Sequence, residues 1–191
     1  MSRYSVDHKQ ATHQRILETA GRRLKQDGID GSGIATLMRD AGLTNGAFYA
    51  HFSSKEDLVA ATIAAQLDIQ RLAHKALAPG RAGLEQFVRA YLSVEHRDDS
   101  GGGCPSAALL DEIRRCPEAT RQAYSDGMAA IMAGMGTHLP PGGTVSPDLK
   151  MFGVFASMVG TLQLSRAIAD VQLADAILEQ GIRTALALID E

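Results

Sequence analysis

The chain has 191 residues, of which 45% are hydrophobic and 21% charged, with 19 Lys and Arg against 22 Asp and Glu. That balance excludes disordered and fibrous classes and leaves one generous domain, or a small domain sharing a core with a larger one. Two cysteines, Cys104 and Cys116, are too few for a disulfide scaffold, and no stretch has the roughly 18 apolar residues of a membrane span, so the expectation is a cytoplasmic chain with no signal peptide and no membrane partner.

Charge is unevenly divided. Residues 1–56 hold eight Lys or Arg against six acids and the remainder is net -5, a split compatible with nucleic acid at the amino end. Ile16, Leu17, Ala20 and Leu24 recur at three- and four-residue spacing and predict an amphipathic helix from about Asp7 to Gln26, stopped by Gly28. Ser32 is expected to cap a short helix through Ala41, with Ile34, Leu37, Met38 and Ala41 on one side and Gly42 as the stop. Thr44 stands where an N-cap is needed for a further helix within Leu43 to Phe52, whose Ala47, Phe48 and Phe52 return to the same core. Ser54 with Asp57 resembles a capping box opening a long helix that runs to Pro79-Gly80.

Two short helices joined by Gly42-Leu43-Thr44 have the form of a helix-turn-helix, in which the second helix enters the major groove. Gly42 supplies the left-handed turn residue, Leu43 plugs the corner and Thr44 caps the reading helix. The outer face would carry Thr44, Asn45, Gly46, Tyr49, Ala50 and His51, small or hydrogen-bonding groups suited to base edges rather than the Lys and Glu of a solubilising face.

The segment GLTNGAFYAHFSSKEDL resembles the signature of the TetR/AcrR family of bacterial transcriptional regulators. Thr44, Gly46, Tyr49, His51, Phe52, Ser54 and Lys55 match it, and Gly28, Ser32, Ala41 and Gly42 match the approach, so the likeness covers about residues 8–60. Two positions depart from the pattern: Asn45 stands where Lys or Arg is frequent, and Gly33 where a second Thr or Ser is common. The resemblance implies an all-α fold of about nine helices, with a three-helix DNA-binding domain over residues 1–54 and a helical ligand-binding and dimerisation domain over 55–191. It implies DNA contacts from Ser32, Gly33 and Arg39; phosphate contacts from Thr44, Tyr49, His51 and Lys55; and base-edge approach by Asn45, Gly46 and Ala47. From the residues alone, Tyr49 could equally pack inside the small domain, His51 could be a cap or core histidine, and Arg39 a solvated charge.

Beyond Pro79-Gly80, helices are expected at Arg81–His96, Pro105–Arg115, after Pro117, and at Pro147–Ala169 and Gln172–Ile189. Asp98–Gly103 reads as a mobile Gly-rich connector, and Pro140-Pro141-Gly142-Gly143 as a break. The family likeness implies a cavity for a small-molecule inducer. Phe87, Tyr91, Tyr124, Met128, Met132 and Met158 are candidates for its wall, since Met and aromatic side chains suit apolar ligands. The same residues could be ordinary core.

The family likeness also implies a homodimer formed through residues 147–190, where Phe152, Phe155, Val159, Leu162, Ile177, Leu178, Ile182 and Leu186 offer apolar surface and Gly153, Ala156, Gly160 and Gly181 permit close approach. The reading is a ligand-responsive regulator, a repressor released from a palindromic DNA operator by a small molecule. The alternative is a ligand-binding or thiol-based redox or electrophile sensor with a different output. Cys104, between a Gly triplet and Pro105 at a helix cap, is the candidate thiol, because unpaired N–H groups there favour a thiolate; a buried cap or pocket-wall residue is the competing reading. No HExxH, CxxC or phosphate-loop pattern occurs, so no enzyme, cofactor or metal is expected.

Overall fold

The computed structural model describes residues 3–141 and 144–191, with side chains from His8 onward, so Gly142 and Gly143 of the expected break lie outside it. Ten helices and no strand make up the described residues: α1 Arg3–Asp27, α2 Ile34–Asp40, α3 Asn45–Phe48, α4 Lys55–His74, α5 Arg81–Tyr91, α6 Val94–Asp98, α7 Pro105–Ile113, α8 Glu118–Gly136, α9 Pro147–Ala167 and α10 Val171–Asp190.

The all-α expectation agrees with this order, and the additional helix arises at one place. Arg81–His96 is two helices, because the chain leaves helical geometry at Leu92 and Ser93 starts α6 by accepting the His96 N–H at 3.2 Å. The capping pattern at the head of α4 is present: the Asp57 N–H donates to Ser54 Oγ at 3.1 Å, and Asp57 reaches back to accept from the backbone N–H of Ser53. α4 stops at His74, short of Pro79, and Leu72 near its end is half exposed. α10 is capped by Asp170, which accepts from the N–H groups of Gln172 and Leu173.

Two apolar clusters form. The head core gathers Ile16, Leu17 and Ala20 of α1, Leu37, Met38 and Ala41, Phe48 and Phe52, and Leu58 of α4. The body core runs from Leu24 and Ile29 through Ile63, Leu67 and Leu84 to Met132, Met158 and Ile182. Helices α1 and α4 therefore belong to both, Leu58 facing the head and Val59 the body, and this ties the two together without a linker. Sequence periodicity shows that a helix has an apolar face but not that the face splits between two cores.

Gly28 and Gly42 are left-handed, with φ of 80° and 68°, and end α1 and α2 as expected. Gly28 is constrained a second time: a Cβ there would lie 2.9 Å from Glu112 Oε1, the carboxylate that accepts the Ile29 N–H at 2.7 Å through its other oxygen.

Candidate DNA interface and ligand cavity

The turn between α2 and α3 is tight: the Gly42 N–H donates to Arg39 O at 2.9 Å and the Leu43 N–H to Met38 O at 2.8 Å, while half-buried Leu43 packs on the head core. Thr44 has extended geometry at the N-cap of α3, and its hydroxyl makes no cap bond, so it is free for another acceptor or donor. The helix proper is one turn, shorter than expected, and continues as turn structure through His51.

Thr44, Asn45 and Gly46 are exposed, and Tyr49 is 74% exposed with its ring edge against Phe48 at 5.2 Å. Tyr49 thus stands out from the head rather than packing in it. Gly33 and Gly46 are open, with nothing within 4 Å of a Cβ at Gly33 and only Thr44 Oγ1 at 4.0 Å for Gly46, so a partner could approach the backbone closely at both. The Arg39 side chain is 73% exposed, and its nearest acid, Asp40, is 3.8 Å away. Asp40 is engaged by Arg23, which pairs with it at 2.7 Å and with Asp27 at 2.8 Å, fastening α1 to α2.

Four expected DNA contacts are placed differently. Ser32 is buried and does not cap α2; its hydroxyl donates to Gly28 O at 2.8 Å, and Gly33 takes the cap position. Ala47 turns partly into the head core. His51 is half-buried against His13, 5.7 Å between ring centres, with Nδ1 buried and unpartnered; burial first, then His13 and Lys9, lower its pKa. Lys55 is half-buried at the start of α4, beside Asp30 and Glu112 in a cleft between head and body. Sequence spacing could not show these orientations, since each depends on what the neighbouring helix covers.

In the body, a cavity of about 480 Å³ opens between α4, α5, the α6–α7 loop, α8 and α9. Phe87, Tyr91, Cys104 and Met128 line it, as expected. Met132 and Met158 are fully buried core away from it, because each is enclosed by other helices. Tyr124 is also outside the lining, sharing a 2.8 Å hydrogen bond with Ser106. The sequence reading missed His74, Gln70, His96 and Phe155 in the wall; two histidines at the ends of different helices carry no mutual spacing signal.

The Gly-rich connector is held at several points rather than free. His96 Nε2 accepts the Cys104 N–H at 3.0 Å, Asp99 Oδ1 accepts the Gly102 N–H at 2.9 Å, and Gly103 O accepts from Lys25 Nζ at 2.7 Å. Lys25 also donates to Gln66 Oε1 at 2.8 Å, and burial pulls its pKa down to about 8. Cys104 is the N-cap of α7, as expected, but its thiol is buried at the cavity wall, 3.6 Å from Gln70 Oε1, and not at the surface. Among the described residues no three His, Cys, Asp or Glu gather as a metal site, and no helix is long and apolar enough to cross a membrane.

The molecule is thus an all-α protein in which a helix-turn-helix head shares two helices with a cavity-bearing helical body. Residues 16–62, about a quarter of the chain, match the family model described as bacterial regulatory proteins, tetR family. The HTH-type transcriptional regulator AcrR of Shigella flexneri is 38% identical over 58 residues, a match spanning 30% of this chain and 27% of that one. Solved structures share the fold over most of the chain. The reduced form of E. coli NemR superposes with a TM-score of 0.76 at 20% identity, over 92% of this chain and 95% of that one. A TetR transcriptional regulator from Chloroflexus aurantiacus gives 0.75 at 20% identity, over 97% of each chain. Bacillus subtilis FadR, solved with stearoyl-CoA, gives 0.65 at 17% identity, over 88% and 97%.

Proposed function

We propose that the protein is a ligand-responsive DNA-binding transcriptional regulator, a repressor that acts as a homodimer on a pseudo-palindromic operator and is released by a small molecule in the body cavity. The observation that carries the reading is the exposed set Thr44, Asn45, Gly46 and Tyr49 along α3 from its N-cap to its C-cap, groups with hydrogen-bonding or close-approach capacity that the fold itself does not use. One such short helix reads too few base pairs for specificity, and two-fold symmetry doubles them.

The dimer is supported by an outward stripe on α9. Leu149, Phe152, Gly153, Ala156, Gly160 and Leu164 recur at helical spacing and are exposed, and no atom lies within 4 Å of a Cβ at Gly153 or Gly160. The interface expected from sequence needs correcting in part: Phe155, Val159, Leu162, Leu178 and Ile182 lie in this chain's own core, and Gly181 faces Thr161 of α9.

A mobility shift with DNA from upstream of the protein's own gene tests the function. Retarded complex that survives random competitor supports it, and equal retardation of random DNA overturns it.

A further inference from the structure

Two residues of the cavity wall, Tyr91 and His74, carry buried polar atoms that the protein leaves without a hydrogen bond, the Tyr91 hydroxyl and His74 Nδ1. Tyr91 is only 7% exposed; the one side chain near enough to bond its hydroxyl is the Cys104 thiol, a weak partner, while Tyr124 and Arg166 act on it only through space. Buried polar groups in folded proteins are nearly always bonded, so two in one cavity mark positions where something else supplies the partner.

The remaining wall presents ring edges and faces. His74 meets Phe87 edge-on at 4.9 Å, and Tyr91 meets His96 at 4.7 Å and Phe155 at 5.4 Å in the same manner. Such walls favour a flat ring inserted among them. The volume, about 480 Å³, is in the range of pockets for drug-sized molecules.

No charge stands inside to receive an ion. Burial lowers the pKa of His74 and of His96, and it pushes the Tyr91 hydroxyl well above the ordinary tyrosine range, so all three are neutral near pH 7. The acids Glu95 and Asp99 are exposed at the rim and oppose an entering anion. The half-buried cation Arg166 is directed to the carbonyls of His96, Arg97 and Ala107 and is not part of the wall.

We propose that the ligand of this cavity is an uncharged, planar ring compound bearing hydroxyl or carbonyl groups, bound through the Tyr91 hydroxyl and His74 Nδ1. The proposal rests on the reading of the cavity as the sensing site and adds the chemistry of what enters it. A free carboxylate or a charged acyl terminus finds no cation in the wall itself, and it meets Glu95 and the Arg22-paired Asp99 at the rim, so the neutral ring is favoured over it.

The probe is 2,6-dihydroxynaphthalene, compared with naphthalene and naphthalene-2,6-dicarboxylate. The chain has no tryptophan, so naphthalene fluorescence reports binding directly on the full-length protein without DNA. The diol is expected to bind and the dicarboxylate not. Tyr91→Phe and His74→Leu should each lower the diol's affinity about tenfold while leaving naphthalene's unchanged. Tyr91→Phe keeps the ring and its packing, so the loss is read on a folded protein. Tighter binding of the dicarboxylate, or diol affinity untouched in both variants, overturns the proposal. Diol binding with the expected variant pattern but no release of the operator complex supports the cavity's chemistry and overturns the regulatory reading instead.

Discussion

Asn45 and Arg39 illustrate two kinds of contact that one exposed residue can make. Asn45 opens α3 with a side chain able to bond a base edge on both its donor and acceptor sides, whereas Arg39 offers a charge to the backbone from α2. Asn45→Ala should therefore change which operator variants are preferred, and Arg39→Ala should weaken all DNA equally and reduce the salt slope by about one. Titrations of specific and random DNA at several salt concentrations check this, and equal loss on both DNAs after Asn45→Ala would remove it from base reading. Lys25 carries a prediction of another sort. Its folded-state pKa is about 8, below the ordinary lysine value of 10.5, with burial as the main cause. Between those two values the native state has released a proton that the unfolded chain still holds, so stability rises with pH through that window. Denaturant unfolding at pH 7.5 and pH 9.5 should show a gain in the parent that Lys25→Met lacks; equal slopes would mean that the ammonium is not desolvated.

At the scale of elements, α7 is the strut between cavity and head. At its start, the loop carbonyl of Gly103 receives Lys25 of α1, and toward its end Glu112 receives the Ile29 N–H just after α1. A ligand that displaces the wall at His96 or Cys104 moves the same backbone that holds Lys25. Glu112→Ala should cost about 1–3 kcal/mol of unfolding free energy, because the Ile29 amide loses a charged acceptor. Amide exchange at Ile29 should accelerate in that variant, and unchanged protection there would show that the tie is not made in solution. Nothing local in the sequence signals this role for Glu112, which acts on a backbone group 83 positions away. The turn chemistry was legible for the opposite reason: Gly28, Gly42 and the Ser54–Asp57 cap act within a few residues of themselves.

For the whole molecule, the proposed dimer is tested at the exposed stripe on α9. Ala156→Glu places a charge at its centre without touching the chain's own core, since Ala156 is exposed. Light scattering at micromolar concentration should give a dimer for the parent and a monomer for the variant, and the monomer should bind the operator weakly because only one half-site is read. A variant that stays dimeric would move the interface elsewhere. What the sequence determined by itself was local and periodic: the all-helical class, the helix-turn-helix with its glycine turn, and the family likeness of residues 8–60, now matched over residues 16–62. Helical spacing and capping are set by residues three or four apart, which is why they can be read in one dimension. The tertiary structure alone decided which side of each apolar helix remains outside, which Met residues are core and which line the cavity, and that Ser32 turns inward. Those outcomes depend on which distant helix covers a given face, and packing between α4, α5, α8 and α9 joins residues whose separation in sequence carries no period.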